Sequence, residues 1–227
     1  MNKTDKKITA IIEENERAGG ERIMVTFYFV RHGKTELNVL NCFQGSGIDS
    51  PLLPEGIEQA GQLGRHLSQV AFEAVAVSTQ KRAMDTATFI LAENLHLDGL
   101  SVSYHDGLRE IGFGEKEGIV VDLDNEQTQL LRTRPDLYDP TEFSGETYDE
   151  LVARSIPVID RLAEEHPKGN VLVVAHGVLL IVLINYLTGK EKKDWRQNSP
   201  LENTSLTVLN KHADSWELER FNDISYQ

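Results

Sequence analysis

The sequence predicts an α/β protein with a mostly parallel central sheet covered by helices on both faces. Three observations carry this. Two short uncharged runs, Val25–Val30 and Val171–Ala175, have strand length and strand-favouring residues. Runs of that kind mark strands buried on both faces. Each stops at a polar break containing His-Gly: Arg31-His32-Gly33 after the first and His176-Gly177 after the second. Finally, strand-like segments alternate along the chain with segments whose apolar residues recur every three or four positions, the signature of strand–helix units.

Taken in order, residues 1–22 form a polar leader in which Ile8, Ile11 and Ile12 could line one side of a short helix ending near Gly19-Gly20. After the first strand, residues 31–50 read as loop, with a single helical turn at Glu36–Asn38. Pro54 suits a helix start, and Ile57, Ala60, Leu63, Leu67 and Val70 carry that helix to about Val70. Ala74–Val77 is a second strand, and Ser78 and Thr79 suit the cap of the helix that follows, which ends near Leu95. Ser101–Tyr104 is a third strand. Residues 107–118 are loop, with glycines at 112, 114 and 118. Residues 119–143 are acidic and irregular, an insert lying over the sheet. Thr147 to Glu150 fits a capping box, opening a helix that runs to about His166 with a kink expected at Pro157. After the His176 strand comes the apolar helix Val178–Leu187, and Ser205–Asn210 with Trp216–Phe221 close the chain as a hairpin.

A length of 227 residues, 40% hydrophobic and 26% charged, suits one globular domain over residues 23–227, with the small insert at 119–143. The net charge of −13 repels nucleic acid and anionic membranes. It also opposes anionic small molecules, unless a local cluster of arginines overrides it. The longest apolar run is far too short to span a bilayer. Cys42 is the single cysteine, which excludes an internal disulfide and fits a reducing compartment, so a cytoplasmic location is expected. The polar N-terminus lacks the apolar core of a signal peptide. The sequence leaves the oligomeric state open.

The chemistry-bearing residues gather at one presumed end of the sheet. Two strands end in His-Gly, Arg31 and Arg82 flank strands there, and Glu110 sits in a glycine-rich loop. The set suits phosphoryl transfer through a phosphohistidine. Arginine offers a fork of donors that matches phosphate oxygens, neutral imidazole is a nucleophile, and a carboxyl group can serve a leaving oxygen and then a water. Helix N-termini near Ser78 and Val178 would add anion-binding N–H groups. Singly, each residue has a plainer reading: Arg82 and Glu110 as surface groups, His176 as a hydrogen-bonded core histidine. His66, His96, His105, His166 and His212 are read as surface or structural. No HExxH or Cys/His spacing is present, so no metal site is expected.

These residues resemble the histidine phosphatase superfamily, the phosphoglycerate-mutase-like family. Arg31-His32-Gly33 with Thr35 and Asn38 is similar to its opening motif, continued by Gln44-Gly45 and Asp49 to Leu52. Ser78, Arg82, Thr86, then Leu108-Arg109-Glu110 and Gly114, Gly145-Glu146-Thr147, His176-Gly177 and Asn203-Thr204-Ser205 match later blocks in order. The resemblance implies a three-layer α/β/α sandwich and an enzyme needing no metal or other cofactor. It implies that His32 is the nucleophile, that Arg31, Arg82 and His176 bind the transferring phosphoryl group, and that Glu110 donates and accepts the proton. Asn38, Gln44 and Gly45 would lie beside the phosphate or leaving group. The expected partner is a small phosphorylated substrate, with no nucleic acid and no membrane.

Three departures stand out. Leu53 replaces the family's usual threonine before Pro54, which removes a helix cap at a cost of about 1 kcal/mol. Lys116 stands where tryptophan is common, and Lys34 where an acid or glutamine is common; both are expected at the pocket edge. Mutases of the family continue the glutamate motif as Glu-Arg-His-Tyr-Gly and carry paired arginines in a longer insert. Here Glu110 is followed by Ile111-Gly112-Phe113-Gly114, and the insert offers only Arg132 and Arg134. A phosphomonoester phosphatase is therefore expected, with a bisphosphoglycerate-dependent phosphoglycerate mutase as the alternative and a non-catalytic binding scaffold behind both. The pocket roof is expected from residues 113–143 and Phe43.

Overall fold

The structure, a computed structural model, describes residues 24–227. The expected leader helix lies outside the described residues. The elements are β1 (Val25–Arg31), α1 (Glu36–Val39), α2 (Pro54–His66), β2 (Phe72–Ser78), α3 (Lys81–Leu91), β3 (Ser101–His105), α4 (Glu126–Thr133), α5 (Tyr148–Glu165), β4 (Gly169–Ala175), α6 (Gly177–Leu187), β5 (Leu206–Lys211) and β6 (Trp216–Asp223).

The six strands form one sheet in the order β3-β2-β4-β1-β5-β6. The β3-β2-β4-β1 part is parallel, and β5 and β6 add an antiparallel edge. Alternate residues face opposite sides of a strand, and the core divides accordingly. Phe27, Phe29, Val171 and Val173 pack with Leu151 and Ile159 of α5 and the apolar length of α6. Val30, Val75, Val77, Leu172 and Val174 pack on the other side with Ala60 and Leu63 of α2 and Ala83 and Ile90 of α3. This is the three-layer α/β/α sandwich. Helix α6 lies in the core, with Leu179–Asn185 all buried. No helix of the described residues is long and apolar enough to cross a membrane.

Several local expectations change. Helix α2 ends at His66, a turn before Val70, and α3 at Leu91 rather than near Leu95. Ser78 and Thr79 do not cap α3. Its N-cap is Gln80, because Ser78 completes β2 and bonds to His176, while the Thr79 hydroxyl donates to Asp106 at 2.6 Å. The 119–143 segment is more ordered than its composition suggests. It holds the two-turn helix α4, capped by the Asn125 side chain, and sends Leu131, Tyr138 and Phe143 into the α5–α6 core. The Thr147–Glu150 capping box is present and α5 continues through Pro157. Leu53 caps α2 without a side-chain hydrogen bond. Lys34 pairs with Glu55, and Lys116 lies over the Phe143 ring, 4.0 Å from its centroid; neither lines the cleft described next.

Candidate active site

Strands β1 and β4 are parallel neighbours in register, with Arg31 opposite Ala175. The residues that follow, His32 and His176, are therefore placed side by side at the carboxyl edge of the sheet, where open α/β sheets hold ligands. The His32 N–H donates to the Ala175 carbonyl at 2.9 Å, and the two imidazole centroids lie 5.2 Å apart.

Both rings are buried. His32 Nδ1 is 2.8 Å from the Gly33 carbonyl oxygen. A carbonyl only accepts, so the proton sits on Nδ1 and Nε2 keeps its lone pair. Burial, reinforced by the charges of Arg82 and Arg31, holds the His32 pKa well below its ordinary value. The ring is thus kept neutral, the nucleophilic form. His176 is held low in the same way, first by burial and then by Arg82. Its Nε2 is 2.7 Å from Ser78 Oγ, and its Nδ1 is buried without a partner.

Glu110 is fixed by the backbone. Oε1 accepts from the N–H groups of Ile111 and Leu179, both at 2.9 Å, and Oε2 accepts from Val178 at 3.0 Å. Of roughly four lone-pair directions on a carboxylate, one on Oε2 remains for proton exchange. The N-terminus of α6 thus holds the protein's own carboxylate, not an open anion site. The first N–H of α3 is engaged likewise, donating from Lys81 to Asp49 at 2.6 Å. The two helix ends that the sequence offers for phosphate are already occupied by Glu110 and Asp49.

A cavity of about 320 Å³ opens over these groups. Arg31, His32, Asn38, Gln44 and Glu110 line it, while Arg82, His176 and Gly45 lie behind the wall. Arg82 is fully buried and donates to the carbonyls of Gly45 and Ile48 and to Asp49, at 3.2, 2.9 and 3.0 Å. It fixes the 44–49 loop and lends its charge from beneath. Arg31 donates to the Leu201 carbonyl, and its Nε is buried and unpartnered. The Asn38 Oδ1 accepts from Thr35 and from Asn203 Nδ2, which also donates to the His32 carbonyl at 3.1 Å. Phe43, Phe113, Val121 and Leu131 supply the expected roof.

Sequence reasoning missed Gln80 and Arg196. Gln80 is buried, accepts from the Glu110 N–H at 2.8 Å and donates to Gly45 at 2.9 Å, so it ties the glutamate to the 44–49 loop. A glutamine between a strand and a helix carries no signal beyond its position. Arg196 lines the cleft from a charged stretch, where only its neighbour Trp195, a lone buried aromatic, marks the segment as anchored.

A parallel-sheet edge presenting a neutral histidine, buried arginines and a held carboxylate defines an α/β enzyme of phosphoryl chemistry. The sequence profile of the Histidine phosphatase superfamily (branch 1) matches residues 27–224, and the chain belongs to that family. Over 153 residues it is 37% identical to "Fructose-2,6-bisphosphatase TIGAR B" of Danio rerio, a match spanning 63% of this chain and 57% of that protein. It is 29% identical to "Uncharacterized phosphatase PhoE" of Bacillus subtilis (strain 168), covering 88% of this chain and 95% of the relative. The solved structure of Bacillus stearothermophilus YhfR superposes with a TM-score of 0.81 at 28% identity, over 89% of this chain and 98% of that one. The chain is a hydrolase of the histidine-phosphatase type, acting on a small phosphorylated compound.

Proposed function

We propose that the protein hydrolyses a small phosphomonoester in two steps through phospho-His32. His32 Nε2 attacks phosphorus, the bond from phosphorus to the ester oxygen breaks, and Glu110 gives its proton to that oxygen as the alcohol leaves. Glu110, now a carboxylate, takes a proton from water; the water oxygen attacks phosphorus, the P–N bond breaks, and inorganic phosphate departs. His32 and Glu110 return to their starting states. Arg31 contacts the transferring group, Asn38 offers its amide NH₂ beside it, and Arg82 and His176 stabilise it from beneath the wall, a preorganised electrostatic site. The observation that carries this reading is the His32 tautomer: Gly33 holds the proton on Nδ1, which leaves Nε2 free beside Glu110 in one cleft.

The test is phosphate release, without added metal, from a panel of small phosphomonoesters, with and without 2,3-bisphosphoglycerate. Release that is lost in His32→Ala, together with an acid-labile, base-stable phosphoryl label on His32, is expected. Bisphosphoglycerate-dependent exchange between 3- and 2-phosphoglycerate without release would favour the mutase. Absence of any label across the panel would favour the binding scaffold.

A further inference from the structure

The cleft carries more positive charge than one phosphoryl group needs. Among the described residues, Arg65, Arg82, Arg109, Arg134, Arg154 and Arg220 each pair with a carboxylate. Arg31, Arg132, Arg161 and Arg196 have no such partner among them, and of these four Arg31, Arg132 and Arg196 line the same cleft as His32. In a chain with 36 acidic and 23 basic residues, counter-charges are plentiful. Three guanidinium groups around one cavity that make no direct ion pair leave room for anions from solution.

Arg196 is built into the wall. Its Nη1 donates to the Leu131 carbonyl at 3.3 Å and to the Tyr148 hydroxyl at 3.1 Å, and its Nη2 donates to Ser199 Oγ at 2.8 Å. All three acceptors are neutral, so they orient the fork without cancelling its charge. Its Nε is buried and has no partner. The backbone beneath is pinned by the Asn185 side chain, which donates to the carbonyls of Trp195 and Gln197 at 3.0 and 3.1 Å. Burial pushes the Arg31 pKa below its ordinary value; the carboxylates of Glu110 and Glu202 oppose this, and the charges of Arg82 and then Arg196 add smaller contributions in the same direction as burial. Arg132 is exposed on α4, next to the Leu131 carbonyl that Arg196 holds.

We propose that Arg196, with Arg132 at the cleft mouth, binds a second anionic group on the molecule whose phosphoryl group meets His32. The preferred substrates are then phosphomonoesters carrying a further carboxylate or phosphate, rather than esters of neutral alcohols. This rests on the phosphatase reading of the cleft. A cavity of about 320 Å³ sits at the small end of ligand sites, so both anions belong to one compact metabolite.

The test compares kcat/KM within two matched pairs: 3-phosphoglycerate against glycerol 3-phosphate, and fructose 1,6-bisphosphate against fructose 6-phosphate. A preference of about tenfold or more for the doubly anionic member, equivalent to about 1.4 kcal/mol, is expected in at least one pair. That ratio should fall to within about threefold in Arg196→Gln, fall less in Arg132→Gln, and be partly kept in Arg196→Lys. No preference in either pair, or a preference unchanged in Arg196→Gln, overturns the proposal. Calorimetric affinities of the same ligands for His32→Ala, with and without Arg196→Gln, give the ratio independently of turnover. A binding preference that Arg196→Gln removes, in a protein that releases no phosphate, would sink the catalytic reading and leave the second-anion site standing.

Discussion

Gly177 leaves the space that the Arg31 guanidinium occupies: a Cβ at position 177 would lie 3.1 Å from Arg31 Nε and 3.4 Å from Cζ. The second His-Gly therefore serves the first motif. His176 stands beside His32, and the glycine after it lets Arg31 pass under the start of α6. Arg31 has little freedom to retreat, because its Nη1 is bonded to Leu201 and its Nε is buried.

Gly177→Ala should separate activity from stability. Alanine is favoured over glycine in a helix by up to about 1 kcal/mol, so the melting temperature is expected to hold or rise slightly. The guanidinium must shift by a few tenths of an ångström, and kcat/KM is expected to fall about tenfold, the order of loss that small misplacement of a positioning group brings. Steady-state kinetics beside thermal melts check this. Full activity would show that Arg31 is not held by that contact.

Glu110→Gln removes the proposed proton carrier and places an amide NH₂ among backbone donors. Glutamine has one acceptor oxygen for the three N–H groups of Ile111, Val178 and Leu179. A donor facing a donor costs about 1–3 kcal/mol of stability. The kcat/KM for alkyl phosphates, which reports formation of phospho-His32 and not the later attack of water, is expected to fall by about 10²–10⁴. The loss should be much smaller for p-nitrophenyl phosphate, whose leaving oxygen departs without a proton. Equal losses on both substrates would remove Glu110 from the role of acid.

Much of this arrangement is legible in the sequence because it depends on period and punctuation. Two uncharged runs that each stop at His-Gly are parallel strands in register, and that register alone sets His32 beside His176. What stays hidden is who satisfies whom. The helix starts near Ser78 and Val178 read as open anion sites, yet Asp49 and Glu110 reach them from distant loops. Arg82 reads as a phosphate ligand, yet most of its donors close on the 44–49 loop. Lys34 and Lys116 read as pocket-edge residues, yet each turns to Glu55 or Phe143 instead. Side-chain partners chosen across long sequence separations leave no periodic trace, and for the same reason Gln80 and Arg196 pass unnoticed.

The two buried histidines make stability depend on pH in a direction that follows from linkage. Both have folded pKa values well below the ordinary 6.5. As pH falls below about 6.5 the unfolded chain binds protons that the folded chain refuses, so stability drops, and above that value these two groups contribute no slope. Between the unfolded and folded pKa values each histidine costs about 1.4 kcal/mol per pH unit. Denaturant melts of wild type and His176→Gln from pH 5 to 8 check this: the wild-type loss on the acid side should be shallower in the variant. Carbon-13 histidine NMR should show His32 and His176 still neutral at pH 6. A titration of either near 6.5 would contradict the burial argument.

The turn after His32 is packed backbone to backbone against the first turn of α2, and glycine is required on both sides. A Cβ at Gly56 would lie 2.6 Å from both the Lys34 nitrogen and its carbonyl oxygen, and one at Gly33 would lie 2.9 Å from the Gly56 oxygen. Backbone cannot rotate aside as a side chain can, so Gly56→Ala must push α2 away from the loop. The Leu53 N–H bond to the Lys34 carbonyl, 2.9 Å, stretches with it. Overpacking of this kind costs about 1–3 kcal/mol, or several degrees in melting temperature at this chain length. Because the Gly33 N–H is also held by Thr86 at 2.9 Å, the strain passes to the His32 backbone, and activity is expected to fall with stability. Gly61→Ala is the control on the same helix. Its nearest neighbour would be the far end of the Arg65 side chain at 3.5 Å, an ordinary contact, so stability should stay level or rise. If Gly56→Ala melts and turns over like Gly61→Ala, the two segments have room to separate and the contact does not position His32.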